Sequence, residues 1–303
     1  MDNNKEYHIP VLLTESIDAL AIKENGTYVD VTFGGGGHSR EILNRLGKNG
    51  RLFAFDQDED AVNNTIDDER FTLINQNFRY IKRYLKFHGV LKVDGVLGDF
   101  GVSSHQFDVP ERGFSTRFDG VLDMRMNQNA TISAQNILNE YDEADLTRIF
   151  SIYGELKNAK SIARAIVTNR NNAPIKTGSQ LQEVLKSFLQ KFKENKTLAQ
   201  IYQAIRIEVN QEMQVLEEFL LQLPDIVSVG GRISLISYHS LEDRLVKRFI
   251  RDGQFQGTPE KDFYGNVSLP FKKVGGLIVP TDKEIKENSR ARSAKLRIAE
   301  RNQ

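Results

Sequence analysis

The chain contains no cysteine. That excludes disulfides and thiolate metal sites. It also closes one catalytic route, because an enzyme that methylates a pyrimidine ring carbon needs a thiolate to add to the ring first. Histidine is scarce: His8, His38, His88, His105 and His239 are scattered, with no H-E-x-x-H or comparable spacing. No metal site is therefore expected. No run of 18 apolar residues occurs, so no membrane span is expected. The opening MDNNKEYHIP is polar and does not read as a signal peptide. The formal net charge is zero, so any surface for nucleic acid must be a local one. The P-loop string G-x-x-x-x-G-K-[ST] is missing as well.

What is present begins with Tyr28 to Ser39, YVDVTFGGGGHS. Tyr28 to Phe33 reads as a short buried strand, followed by four glycines at a sharp turn. A helical stripe of Ile42, Leu43 and Leu46 follows, with Gly47 expected as its C-terminal cap. Strand, glycine turn and helix open a nucleotide-type βαβ unit, with free N–H groups at the helix start. A glycine turn without a ligand is the alternative. Arg51 to Phe55 reads as the second strand, and Asp56 at its end could take both hydroxyls of a ribose. The fit to G-x-G-x-x-G/A is poor, since Ser39 or Arg40 falls at the last position. A single adenosine with a charged tail, as in S-adenosylmethionine, fits best.

Phe71 to Ile74 reads as the third strand. Asn77 caps the helix after it, with Ile81, Tyr84 and Leu85 inward. Phe78 lies where such a sheet meets the base of its ligand, though a packing role suits it equally. Asp94 to Phe100 is the fourth strand. It places Asp99 at the carboxyl end, between Gly98 and Gly101, where open α/β sheets keep their chemistry. Those glycines suggest close approach of a ligand.

Residues 107–126 have neither helical nor strand period. Phe107, Phe114 and Phe118 alternate with Arg112, Arg117 and Arg125. That pattern suits an extruded base and its phosphates, or a lid packed by its own side chains. From 133 to 223 the pattern is helical. Leu156, Ala159, Ala163 and Ile166 form one stripe, and Lys157, Lys160 and Arg164 another, with more lysines in 189–196 and Phe192 closing a further apolar stripe. A lysine face is either solvated or turned to phosphate. Arg232 to Tyr238 is the fifth strand, Ser240 to Asp243 resembles a capping box with His239 in the turn, 252–280 is poorly periodic, and Ala294 to Ala299 reads as a last strand.

The motifs VTFGGGGHS, FDQD, DGVLGDFGVSS, ERGFS, DGVLDMRM, QAIRIEVN, GGRISLISYHSLEDR and RARSAKLRIAER run in order along almost the whole chain. In this the chain closely resembles the MraW (RsmH) family of bacterial small-subunit (16S) rRNA cytidine N4-methyltransferases. The resemblance implies an α/β fold, a Rossmann-like class I methyltransferase sheet with an inserted all-helical domain. Residues 1–107 and 206–303 would form the S-adenosylmethionine-binding domain and 108–205 the substrate-recognition insertion. It implies a cytoplasmic enzyme that uses S-adenosyl-L-methionine on a cytidine of the decoding centre, with 16S rRNA in the small subunit as partner and no membrane. Cofactor contacts are implied at Gly36, Gly37, His38, Asp56, Phe78, Asp99 and Gln106. Asp99 is the catalytic candidate. Arg112, Phe114, Arg117, Lys157, Lys160 and Arg164 are the candidates for RNA.

Many amino-methyltransferases carry an Asp/Asn-Pro-Pro-aromatic string here. This chain keeps the acid and lacks the prolines in Asp99-Phe100-Gly101-Val102. A nicotinamide-dependent oxidoreductase and a non-catalytic RNA-binding subunit are the rival readings. The oligomeric state is left open, with a homodimer among the candidates.

Overall fold

The computed structural model describes residues 10–189, 193–259, 263–264 and 267–303. Most of the polar lead-in and part of the 189–196 lysine run, Phe192 included, lie outside the described residues. In chain order the elements are α1 (Leu13–Ala19), β1 (Thr27–Asp30), α2 (Gly37–Arg45), β2 (Arg51–Phe55), β3 (Phe71–Ile74), α3 (Ile81–Phe87) and β4 (Val93–Asp99). Then come α4 (Ser104–Asp108), α5 (Ala134–Glu140), α6 (Glu143–Ile152), α7 (Ala159–Arg170), α8 (Gly178–Leu185), α9 (Glu194–Asn210) and α10 (Glu212–Ile226). The chain ends with β5 (Val227–Ser237), α11 (Ser240–Asp252), β6 (Phe271–Ile278), α12 (Asp282–Glu287) and β7 (Lys295–Arg301).

The strands form one sheet in the order β3-β2-β1-β4-β5-β7-β6. It is parallel from β3 to β5, and β7 runs antiparallel between β5 and β6. This mixed seven-stranded arrangement agrees with the Rossmann-like sheet that the resemblance implies. The inner strands read as near-continuous apolar runs because helices cover both faces. Leu52, Phe53, Ala54 and Phe55 of β2 are all buried, as are Val96 and Leu97 of β4. The chain leaves β1 for β2 on one side and returns as β4 on the other, so the order reverses between β1 and β4. Backbone bonds show the divergence: Val31 N–H donates to Leu97 O of β4, while Phe33 N–H donates to Phe55 O of β2. Such a switch point leaves a crevice at the carboxyl ends of the strands.

The chain divides into two compact units, residues 1–101 with 214–303, and residues 102–213. The resemblance implies an insertion at 108–205, which lies within the second of these units. The second unit has its own core, which includes Leu122, Met124, Ile149, Phe150, Ile162 and Ile201. Among the described residues no helix is long and apolar enough to cross a membrane.

Several local expectations need correction. β1 ends at Asp30 rather than Phe33, because its ladder splits there between two neighbours. Gly47 is not a left-handed cap: α2 ends at Arg45, Leu46 is extended, and Gly47 N–H donates to Glu24 O. The N-cap of α11 is His239, one residue before the expected Ser240. Its Nδ1 accepts from Glu242 N–H, and the Glu242 carboxylate accepts from His239 N–H. Strand β6 was hidden within the poorly periodic 252–280 stretch. It is an edge strand with exposed Lys272 and Lys273 and two glycines, so it has no alternating pattern to read.

Candidate active site

Three acids stand at the carboxyl ends of adjacent strands in the first unit. Asp30 ends β1 and is fully buried. Its Oδ2 accepts from Ser39 Oγ at 2.7 Å and its Oδ1 from Thr32 N–H at 3.1 Å. Thr32 Oγ1 in turn accepts from Asp99 N–H at 2.7 Å. One short network thus ties the start of α2 to the ends of β1 and β4. Burial pushes the Asp30 carboxyl up, and the nearby His38 ring opposes that shift. Asp30 was not among the expected site residues. Its only signal in the sequence was its place at the end of the first strand.

The glycine turn is shaped mostly by the protein itself. Gly34 and Gly36 have φ of +51° and +76°, which L side chains rarely adopt. A Cβ on Gly36 would lie 2.9 Å from the Phe33 ring, and one on Gly37 would strike the Pro10 ring. The chain segment at Pro10 therefore packs on the start of α2. His38 is buried and holds the same segment, with Nε2 3.2 Å from Val11 O. Leu12 N–H extends the arm's anchorage to Glu284 Oε1 of α12, at 2.7 Å.

Asp56 ends β2 and is half-buried. Its Oδ2 accepts from Gly34 N–H at 2.8 Å and its Oδ1 from Asp58 N–H at 2.9 Å. Burial pushes its pKa up to about 6 despite those two donors. Each oxygen keeps a further lone pair for a ligand hydroxyl. Phe78 follows Asn77, whose side chain caps a one-turn helix over Phe78–Tyr80. The Phe78 ring packs at 5.2 Å from Phe219 and 5.9 Å from Phe100, and stays half-buried.

Asp99 ends β4. Its Oδ1 is buried and has no hydrogen-bond partner among the described residues, while the Tyr238 hydroxyl lies near the carboxylate. Burial pushes the carboxyl up, opposed by His38 and by Tyr238. The Tyr238 phenol is pushed well up by burial and by the Asp99 charge. The flanking glycines are explained by packing rather than by ligand approach. A Cβ on Gly98 would lie 2.9 Å from the Phe100 ring, and one on Gly101 2.7 Å from the Tyr238 ring.

The structure thus brings Gly36, Gly37, His38, Asp56, Phe78 and Asp99 to one edge of one sheet. Gln106 belongs to the second unit. It is buried in the first turn of α4, where its Oε1 accepts from Ser103 N–H in a capping box. Two of the six RNA candidates are corrected. Arg112 is buried and donates to the carbonyls of Arg125 and Met126, and Phe114 lies in the second unit's core. Both are enclosed by their own unit, so neither is presented to a nucleotide. Arg117, Lys157, Lys160 and Arg164 are exposed, and Arg164 also pairs with Glu143 at 3.3 Å.

Comparison with known proteins shows the family. A family model described as the MraW methylase family matches residues 5–302. The chain belongs to the MraW methylase family. It is 67% identical over 294 residues to the ribosomal RNA small subunit methyltransferase H of Christiangramia forsetii, covering 97% of both chains. It is equally identical over 301 residues to that of Flavobacterium johnsoniae, covering 99% of this chain and 100% of the relative. Among solved structures, an rRNA methylase from Streptococcus thermophilus aligns over 98% of this chain and all of its own at 14% identity, with a TM-score of 0.40.

As a member of this family the chain is an S-adenosylmethionine-dependent methyltransferase, which sets aside the nicotinamide alternative. The donor set suits that cofactor. The acids at the sheet edge are complementary to a cationic, hydroxyl-bearing ligand, and the unpartnered Asp99 Oδ1 is a buried acceptor in need of a donor.

Proposed function

We propose that this protein transfers a methyl group to the N4 amine of a cytidine in the decoding centre of small-subunit (16S) rRNA, in the bacterial cytoplasm. Its relatives bear the name of small-subunit rRNA methyltransferases, which supports the RNA. The single observation that supports the chemistry is the Asp99 carboxylate, whose buried Oδ1 has no hydrogen-bond partner among the described residues.

S-adenosylmethionine supplies an electrophilic methyl group. Asp56 would hold the ribose hydroxyls, Phe78 would border the base, and the Gly36–His38 turn would shape the pocket between them. The cytosine amine is a poor nucleophile because its lone pair is delocalised into the ring. Asp99 Oδ1 accepts a hydrogen bond from N4–H, which orients the lone pair and later receives the proton. The attraction grows as the amine becomes positive, so it acts chiefly in the transition state. The unit at 102–213 recognises the RNA, through exposed cations such as Arg117, Lys157 and Lys160.

With no cysteine in the chain, transfer is direct and no enzyme–RNA adduct forms. Labelled S-adenosylmethionine should therefore mark one cytidine of small-subunit rRNA. A 5-fluorocytidine substrate should be released without covalent trapping. Label on a ring carbon, or a stable protein–RNA adduct, would overturn the reading. RNA binding without methyl transfer would instead favour a non-catalytic subunit.

A further inference from the structure

The sheet has a second edge of interest, opposite the one just described. Between Arg70 and Val93 the sequence carries Arg70, Arg79, Lys82, Arg83, Lys86 and Lys92 and not one Asp or Glu, in a chain of zero net charge. The structure folds the later part of this stretch, α3 and the loop after it, against the end of α10. There a cleft of about 520 Å³ is lined by Lys82, Lys86, Leu91, Lys92, Asp225 and Arg301, among others. Four cations thus meet a single carboxylate. Lys82 pairs with Asp225, and the crowding of Lys82, Lys92 and Arg301 holds the Asp225 carboxyl below its ordinary range.

The remaining charge is not cancelled locally. Arg301 spends its donors on the carbonyls of Pro224 and Pro270, so it is fixed in place with its charge intact. Arg83, Lys86 and Lys92 form no ion pair among the described residues. Phe87 is 81% exposed beside Lys86, and Leu91 is 71% exposed. Exposed Lys86 and Lys92, with the Arg301 charge fixed beside them, leave a local excess of positive charge of the kind that binds nucleic-acid backbone.

Position decides what this cleft cannot be. Lys92 immediately precedes β4 and Ile226 immediately precedes β5, so the cleft is at the amino ends of the strands whose carboxyl ends carry Asp99 and Tyr238. The length of β4, roughly 20 Å at ~3.3 Å per residue, separates the two. Neither the cofactor nor the target base can occupy it.

We propose that this cleft is a second RNA-contact surface, which takes backbone phosphates of small-subunit rRNA from a segment remote from the methylated cytidine. The proposal rests on the rRNA reading above and extends it. The catalytic unit would grip folded RNA at both ends of its sheet, and the cleft would add affinity for structured RNA without taking part in the chemistry.

The test is the Lys86→Glu/Lys92→Glu double variant, with Lys86→Gln/Lys92→Gln as a milder version should charge reversal unfold the protein. Filter binding to purified small subunits, and to their naked rRNA, is measured across a salt series. Methyl transfer is measured in parallel. Binding should weaken at least roughly tenfold, and the log–log salt slope should drop by about 2, one for each lost phosphate contact. The kcat at saturating RNA and the affinity for S-adenosylmethionine should be unchanged. Lys86→Arg/Lys92→Arg should bind as the parent does. Unchanged affinity and slope would overturn the proposal. So would a loss confined to phosphatidylglycerol vesicles, which would make the cleft a membrane contact. Failure of the parent protein to methylate small-subunit rRNA would count against the functional reading instead, because binding is read independently of transfer.

Discussion

The Tyr238 side chain and the Asp99 carboxylate lie close together at the carboxyl ends of neighbouring strands, although the whole helical insertion lies between them in the sequence. Parallel pairing of β4 with β5 brings them together, with Asp99 opposite Ile236. Gly101 makes the contact feasible, since any side chain there would strike the Tyr238 ring. Tyr238 is further fixed through its backbone, whose N–H donates to Glu242 Oε2 at 2.8 Å. We infer a division of labour, with Tyr238 positioning the carboxylate and Asp99 presenting Oδ1 to the amine.

That division predicts different signatures for two conservative variants. Asp99→Asn keeps shape and loses charge, so single-turnover methylation should fall on the order of 10²–10³ with cofactor affinity within a few-fold of the parent. Tyr238→Phe should lower kcat less and leave KM alone. The neighbouring hydroxyl holds the Asp99 carboxyl down, so removing it raises that pKa. The acid limb of the kcat–pH profile should move to higher pH in Tyr238→Phe. An unmoved limb would mean that Tyr238 acts only in packing.

Asp56 carries a pH signature of its own. Its pKa of about 6 lies above the ordinary carboxylate value. Only the ionised form is a full acceptor for ribose hydroxyls. Cofactor affinity should be flat where Asp56 is ionised and fall as pH drops through its pKa, approaching about tenfold per pH unit. Asp56→Ala should bind at least roughly tenfold more weakly, from the loss of about 1.5–3 kcal/mol, and should lose this pH dependence. Calorimetry across the pH range checks both. A variant with the parent's affinity would place the ribose elsewhere.

The two arginines of the 107–126 loop should part company. Arg112 satisfies two carbonyls within its unit, so Arg112→Ala should lower stability by about 1–3 kcal/mol, read as a lower Tm, with the salt slope of RNA binding unchanged. Arg117 is exposed. Arg117→Ala should leave Tm alone and reduce that slope by about 1. The reverse pattern would restore Arg112 as an RNA contact.

Strands β1 to β5 could be read from the sequence because β-branched and aromatic runs report burial directly. So could the positions of Asp56 and Asp99, which follow from counting to the ends of those runs. The reasons for the glycines could not be read. The atoms that exclude a Cβ at Gly37 and Gly101 belong to Pro10 and Tyr238, which only the fold brings near. The Phe/Arg alternation in 107–126 misled for a similar reason. Alternation shows that two residue types are interleaved, and says nothing of which turn inward. Phe114 and Arg112 do, whereas Arg117 and Phe118 do not.

The arm at Pro10–Leu12 has a consequence for how the protein is made. It covers the start of α2 and is fastened to Glu284, close to the other end of the chain. A ribosome has therefore emitted the glycine turn long before the residue that clamps its cover exists. A chain halted short of α12 would carry the glycine turn and the arm over it, and would lack the carboxylate that fastens that arm.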